Sequence, residues 1–380
     1  MKFIHIADTH LGLAAFSRLD PASGMNLREK QIYDNFLAGI DRIIAEKPDA
    51  VIHAGDLFDT VKPKTRAYTT VLEALGRLHA AGIPFVVIAG NHSMVKTRYT
   101  TSPFEVLSYH PSQIVAAYQF RYERCEIGDT VFHLIPNMLR PEDYRTAFDA
   151  VEFSPSHANV LVTHGLATAI RDQRLATVAE HELDGTILSD RFDYIALGHY
   201  HRQVQVTDNA WYSGSAEYLT YGEIRDTKGG LVVDPGRREV RHFELPGTAM
   251  ADLGTIPCEG VHHADIADEI VRRALAARLP EGSLAQVTLD CLAREHGKGI
   301  DRKALAPVRE QLLDLKIRIR EAGAESPVPL QQDIRMVDYL QEFAAFVGKQ
   351  QLPERQKAFA AARGREVLQQ VMEEHKGAAE

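Results

Sequence analysis

The sequence predicts an α/β fold in which sheets and helices are layered. Short apolar runs rich in β-branched residues recur through the first half, helical periodicities fall between them, and most runs end in a polar cluster. With about 150 residues per domain, 380 residues leave room for two to three domains and a sizeable core.

The strand candidates come in order. Phe3-Ile4-His5-Ile6-Ala7, Ala50-Val51-Ile52-His53-Ala54, Pro84-Phe85-Val86-Val87-Ile88, Val131-Phe132-His133-Leu134-Ile135, Asn159-Val160-Leu161-Val162-Thr163 and Tyr194-Ile195-Ala196-Leu197 are almost continuously apolar, as strands buried on both faces must be. Ile32, Phe36, Ile40 and Ile43 form a helical stripe before the second run, and Val71, Leu72, Leu75 and Leu78 form another before the third. Leu231–Val233 and Val240–Phe243, separated by Pro235-Gly236, are late strands. After Leu245-Pro246-Gly247 the pattern changes: a helix over 265–278, a strand through Val287, Leu289 and Cys291, a helix over 305–315, and a strand at Ile317 and Ile319. This α-β-α-β run is long enough for a small domain. Residues 322–329, rich in proline and small residues, read as a linker. Two helices follow, one striped by Met336, Leu340, Phe343 and Val347, the other opening at Pro353 and carrying Phe359, Leu368 and Met372. Such stripes suit either a docking surface or packing back on the chain.

Composition narrows the classes. A hydrophobic share of 45% with 25% charged residues excludes a wholly disordered or collagen-like chain. No run of about 18 apolar residues occurs, and His5 and Asp8 interrupt any signal-peptide core, so no membrane span and a cytoplasmic location are expected. Cys125, Cys258 and Cys291 are scattered, without C-x-x-C spacing. Against 52 acidic residues stand 43 basic ones, a net charge of -9. Nucleic acid is still admissible, because cations in a carboxylate-lined cleft, or a partner, can supply positive charge.

Seventeen histidines are the unusual feature, and several sit where strands end. Asp8-Thr9-His10, Gly55-Asp56-Leu57-Phe58-Asp59, Gly90-Asn91-His92-Ser93, His164-Gly165 and Gly198-His199-Tyr200-His201 each follow an apolar run. In open α/β sheets the carboxyl ends of strands line one crevice, so five distant clusters can share a site. Carboxylate, carboxamide and imidazole without thiolate suit manganese, iron or zinc. Seven donors suit two ions, which would clamp the attacking and leaving oxygens of a phosphoryl displacement and acidify water.

These five motifs, in this order over about 200 residues, resemble the calcineurin-like metallophosphoesterase superfamily. Asp8-Thr9-His10-Leu11-Gly12, the wording of 55–59, the added α-β-α-β segment and the helical tail further resemble the nuclease components of bacterial SbcCD complexes, counterparts of the double-strand-break repair nucleases of archaea and eukaryotes. The resemblance implies a layered metallophosphoesterase sandwich over residues 1–246, a capping domain over 247–322, a linker over 323–330 and a partner-docking tail over 331–380. It implies that Asp8, His10 and His201 hold one metal, that Asn91, His164 and His199 hold the other, and that Asp56 bridges both. His92 would be no ligand but would face the scissile phosphate, stabilising charge or protonating the leaving oxygen. Two divalent ions, manganese the expected one, DNA as exonuclease and endonuclease substrate, a coiled-coil ATPase partner (SbcC-like) on the C-terminal helices, and a homodimer complete the implied picture. Two departures stand out: Ser93 replaces the usual acidic residue after the Asn-His pair, and Ser213 stands where a turn proline is usual. A phosphoesterase acting on small phosphodiesters or phosphomonoesters and a catalytically weakened DNA-end scaffold are the alternatives.

Other polar residues have plainer readings. His5, His53 and His133, inside strands, read as core histidines. Asp59 is either a partner that orients a histidine or a helix cap. Arg18, Arg28, Lys62, Lys64, Lys96 and Arg98 are solvated loop charges or phosphate contacts. Tyr200, between two ligand candidates, would project away from them and either pack or touch substrate.

Overall fold

The computed structural model describes residues 1–95, 100–167, 182–183, 187–291, 300, 303–321, 343, 347–348 and 353–377. The larger of two compact units holds three main sheets. In chain order its strands are β1 (Phe3–Ile6), β2 (Ala50–His53), β3 (Phe85–Ile88), β4 (Ile114–Ala117), β5 (Glu123–Ile127), β6 (Thr130–Ile135), β7 (Ala158–His164), β8 (Tyr194–Gly198), β9 (Val204–Thr207), β10 (Ala210–Tyr212), β11 (Gly230–Asp234), β12 (Glu239–Phe243), β13 (Met250–Pro257), β14 (Leu284–Asp290) and β15 (Asp314–Arg320). Its helices are α1 (Leu27–Glu46), α2 (Thr65–Ala80), α3 (Pro141–Asp149), α4 (His263–Ala276) and α5 (Ala306–Gln311).

The first sheet runs β12-β11-β1-β2-β3-β4, the second β9-β10-β8-β7-β6-β5. The central strands β1 to β4 are parallel to one another, as are β6, β7, β8 and β10. Side chains alternate between two cores, which is why each strand has to be apolar throughout. Phe3, Ala50, Ile52, Val86 and Ile88 point toward the second sheet and meet Phe132, Leu134, Val160, Val162 and Tyr194. Ile4, Ile6, Val51, Phe85 and Val87 point the other way, onto the Ile32, Ile40 and Ile43 stripe of α1 and the Val71, Leu75 and Leu78 stripe of α2. Each Val, Leu, Ile or Phe among them contributes about 1.5–3 kcal/mol by leaving water. Asn26 caps α1, its Oδ1 accepting from the Glu29 amide at 3.0 Å.

All six predicted first-half strands and the two late strands form. Four others, β4, β5, β9 and β10, also form: Ile114–Ala117 and Ala210–Tyr212 are apolar but only four and three residues long, and Glu123–Ile127 and Val204–Thr207 are interrupted by polar residues. They are short, and β4, β5 and β9 are only partly buried, so less of each needs to be apolar. The third sheet, β13-β14-β15, is wholly parallel and has its own core of Ile266, Ile270, Val287, Leu289, Leu305 and Val308. Its first strand is not evident in the sequence, because Gly254, at φ +80° beside a register shift, and Pro257 punctuate it. The helix expected over 305–315 ends at Gln311. Leu312 turns extended, and Leu312, Leu313 and Leu315 continue the apolar signal as they enter β15.

The described tail residues belong to the second unit. Its helix α6 (Glu354–Gly377) starts behind Pro353, whose carbonyl accepts from the Gln356 and Lys357 amides. Gly364 lies against the Phe343 ring, where any Cβ would collide, Val347 is buried, and Phe359 is 73% exposed. The expected linker 323–330, Met336, Leu340 and the side chains of Leu368 and Met372 lie outside the described residues. Among the described residues, no helix is long and apolar enough to cross a membrane.

Candidate metal centre

Five strand ends converge. Asp8 and His10 follow β1, Asp56 and Asp59 follow β2, Asn91 and His92 follow β3, His164 closes β7, and His199 and His201 follow β8. Parallel pairing of β1 with β2 and of β2 with β3, and of β7 with β8, puts these ends at one edge of each sheet. The His199 amide stitches the two sheets there, donating to both Asp8 carboxylate oxygens at 3.0 Å, while within the first sheet the His92 amide donates to Asp56 Oδ1 at 3.0 Å.

The turns are tight enough to force unusual backbone. Asp8, His10 and Asp56 have φ of 52°, 45° and 53°, and His199 has φ of 102°. Asp and His are among the few side chains that tolerate the left-handed region, so these residue types satisfy the backbone as well as the chemistry. Gly55, at φ 100°, and Gly198 allow the sheets to approach, since a Cβ would strike the His164 ring in the first case and the Ala54 carbonyl in the second.

The side chains form overlapping groups of donors: Asp8, His10 and His201; Asp8, Asp56 and His164; and His10, Asp59 and His92. Asn91 Oδ1 sits 2.9 Å from His164 Nε2 and 3.1 Å from His199 Nδ1. His164 Nε2 is also 3.3 Å from Asp56 Oδ2, and His10 Nε2 is 3.8 Å from the same oxygen. All seven residues expected as ligands therefore lie in one constellation.

Imidazole orientation is informative. His164 Nδ1 is 2.9 Å from the Ala54 carbonyl, His10 Nδ1 is 3.1 Å from Asp59 Oδ1, and His201 Nδ1 is 3.0 Å from Glu223 Oε1. Each oxygen can only accept, so each ring donates from Nδ1 and, when neutral, keeps a lone pair on Nε2. His10 Nε2 is buried without a hydrogen-bond partner among the described residues. Buried polar atoms are nearly always satisfied, and a cation held with the adjacent carboxylates would satisfy this one. The residues present thus fit divalent ions, and the oxygen and nitrogen donors without thiolate fit manganese, iron or zinc.

Electrostatics agree. Burial pushes the Asp8 carboxyl up, against neighbouring His164 and His201. Burial acts likewise on Asp56, but the His164 charge and hydrogen bond, with His10, hold it well below the usual carboxylate range. Burial pulls His164 down, yet Asp56 and Asp8 carry it up to about 9, so that without a metal this imidazolium offsets the carboxylates. Desolvation, with the His164 charge beside it, pulls partly buried His199 down to about 3.

His92 stands apart from the buried set. Its side chain is 45% exposed, with Nδ1 3.1 Å from the Asp59 carbonyl and the ring edge-on to His10 at 4.6 Å. Asp59 thus serves two histidines and acts as an orienting partner rather than a cap. Ser93 is fully buried.

His5 bonds Tyr194 Oη at 2.9 Å, His53 bonds Thr9 Oγ1 at 2.9 Å, and His133 lies between Tyr122 and Asn159. Burial holds His5 and His53 near about 3, as neutral core histidines. Tyr200 is buried edge-on to Tyr212. Two charges considered for phosphate contact serve the fold instead. Arg18 donates to the Glu310 and Leu312 carbonyls at the end of α5, and Arg28 is buried 2.9 Å from Glu217. Lys64 pairs with Glu29 at 2.6 Å, Lys62 is exposed, and Lys96 and Arg98 lie outside the described residues.

Sequence reasoning missed Glu223 and Lys228. Glu223 is buried in the turn Tyr221–Glu223, and Lys228 Nζ lies 2.6 Å from its Oε2. Burial would raise the Glu223 carboxyl, but the His201 bond and the Lys228 charge bring it down to about 2. Nothing in its spacing, 22 positions beyond His201, marks it out.

Layered sheets with a carboxylate and imidazole cluster at their strand ends define a metal-dependent phosphoesterase scaffold. The family description of calcineurin-like phosphoesterases matches residues 1–203, and the chain belongs to that family. It is also similar to proteins described as DNA double-strand break repair protein Mre11. That of Methanocaldococcus jannaschii is 30% identical over 233 residues, covering 60% of each chain. That of Sulfolobus acidocaldarius is 28% identical over 357 residues, covering 91% of this chain and 82% of the relative. The chain matches about 60% of the length of the first of these relatives. A purple acid phosphatase from yellow lupin is 11% identical over 55% of this chain and 43% of its own, with a TM-score of 0.36, too slight to bear on the fold.

Proposed function

We propose that this chain is the nuclease component of a DNA double-strand-break repair complex, of the kind called SbcD in bacteria, hydrolysing phosphodiester bonds as exonuclease and endonuclease. The metal reading rests on one observation above all: His10, His164 and His201 each commit Nδ1–H to an oxygen, so their Nε2 atoms remain as donors beside Asp8, Asp56 and Asn91. The DNA reading is supported by the Mre11 relatives, above all the one matched over 91% of this chain.

Asp8, His10 and His201 would hold one divalent ion, Asn91, His164 and His199 the second, and Asp56 would bridge, with manganese the favoured ion. Bound ions supply Lewis-acid stabilisation of the phosphate and an acidified water. The chain's own residues do the rest. Asp59 and the Ala54 carbonyl keep the His10 and His164 rings aimed, and the packed sheets exclude bulk water beneath them. His92, anchored through Nδ1 with its side chain 45% exposed, would have Nε2 left to protonate the leaving oxygen.

In this reading residues 1–246 are the nuclease domain, 247–322 a capping domain, 323–330 a linker and 331–380 the segment that docks on an SbcC-like coiled-coil ATPase. The separate core of the third sheet and exposed Phe359 support the division. The family resemblance adds a homodimer and a cytoplasmic location.

Titration with manganese is expected to give two ions per chain, and the loaded protein is expected to cleave linear and hairpin DNA while leaving nucleotide monoesters intact. Preference for the monoesters would overturn the nuclease reading, and single or no occupancy would overturn the paired centre.

A further inference from the structure

One carboxylate outside the expected ligand set touches that set and is itself heavily anchored. Glu223 Oε1 receives His201 Nδ1 at 3.0 Å and the Thr220 hydroxyl at 3.2 Å. Its Oε2 receives Lys228 Nζ at 2.6 Å and the Leu219 amide at 3.1 Å. Lys228, itself 8% exposed, also donates to the His201 carbonyl at 3.0 Å and to Ser215 Oγ at 2.9 Å. His201 is thus gripped twice, its ring by Glu223 and its backbone by Lys228.

The same turn reaches the third sheet. Tyr221, two residues before Glu223, donates its hydroxyl to Asp314 Oδ2 at 2.8 Å, and Lys316 Nζ stands 5.0 Å over its ring. Asp314 opens β15 and pairs with Leu284 on β14, so the contact ties the turn to a sheet with its own core. A three-residue 3-10 turn, with Tyr221 at one end and Glu223 at the other, has little slack between them.

We propose that Glu223 is a positioning residue for His201, and that the Tyr221–Asp314 bond makes the third sheet a control on the metal position formed by Asp8, His10 and His201. A carboxylate accepting Nδ1–H fixes the tautomer, aims Nε2 and raises ligand basicity. A shift of the third sheet would pull Tyr221, rotate the turn and unseat that carboxylate, loosening one metal position while the position of Asn91, His164 and His199 keeps its own supports.

The inference rests on the paired metal centre, and the experiment separates the two. Manganese binding to the full chain is followed by calorimetry and by electron paramagnetic resonance, on the natural protein, Glu223→Gln and Tyr221→Phe, with far-ultraviolet circular dichroism and thermal melts of the metal-free proteins alongside. The natural protein should bind two ions. Glu223→Gln should weaken one of them about 10–100-fold and leave the other unchanged. Tyr221→Phe, which removes only the hydroxyl contact to the third sheet, should weaken the same ion about 2–10-fold. If the natural protein binds two ions and Glu223→Gln, folded, binds both as tightly, the positioning role is wrong. If only Tyr221→Phe is unaffected, the third-sheet control is wrong. If the natural protein shows no paired binding, the metal centre itself fails.

Discussion

His92 differs from its neighbours in being half-exposed and outside the buried carboxylate cage, which separates its chemistry from metal retention. His92→Asn should lower manganese-dependent DNA cleavage by about 10²–10⁴-fold, the usual contribution of a proton donor, with metal titration unchanged. Loss of an ion in that variant would make His92 a ligand instead. At this scale the sequence is legible where residue type and order coincide: Asp8, His10, Asp56, Asn91, His164, His199 and His201 each follow an apolar strand. Glu223, Lys228 and Asp59's double duty are not legible, because an orienting partner is defined by where a loop returns in space. Arg28 shows the converse. Its charge suggests phosphate, but it is buried against Glu217, with the Thr248 hydroxyl and Tyr218 carbonyl as further acceptors.

The central strands hold the two large sheets together. Ile52 lies between the two large sheets, so Ile52→Ala removes packing from both and should cost about 2–5 kcal/mol of unfolding free energy in urea titration. Gly198→Ala attacks the same seam differently, forcing a Cβ against the Ala54 carbonyl and displacing His164 from its bond there. Its melting temperature should fall, and manganese affinity should fall with it, a pairing that Ile52→Ala would not reproduce if the strand ends keep their places. Continuous apolar runs make the central strands readable. The edge strands and the interrupted β13 are not: β4 is apolar but only four residues long, β5 alternates with charged residues, and Gly254 and Pro257 break β13.

For the molecule as a whole, metal and fold are linked. An ion that binds only the folded chain adds about 2.7 kcal/mol at a concentration 100 times its dissociation constant. Manganese should therefore raise the melting temperature by several degrees and a chelator should reverse it, whereas an unmoved melting curve would argue against a structured site. The tail makes a separate prediction. Phe359 is exposed on α6, and if the tail docks on a coiled-coil ATPase as proposed, Phe359→Asp should abolish co-purification with it while leaving cleavage by the isolated chain intact. Retained co-purification would place docking elsewhere.

The left-handed turns at Asp8, His10 and Asp56 have an evolutionary corollary. A lineage that gave up hydrolysis would not be free to fill these places at random, because β-branched and bulky side chains would strain the loops by about 1–3 kcal/mol apiece. Asparagine and glycine would be the cheap replacements, so a descendant without activity would still carry the outline of the vanished centre in its choice of small turn-forming residues.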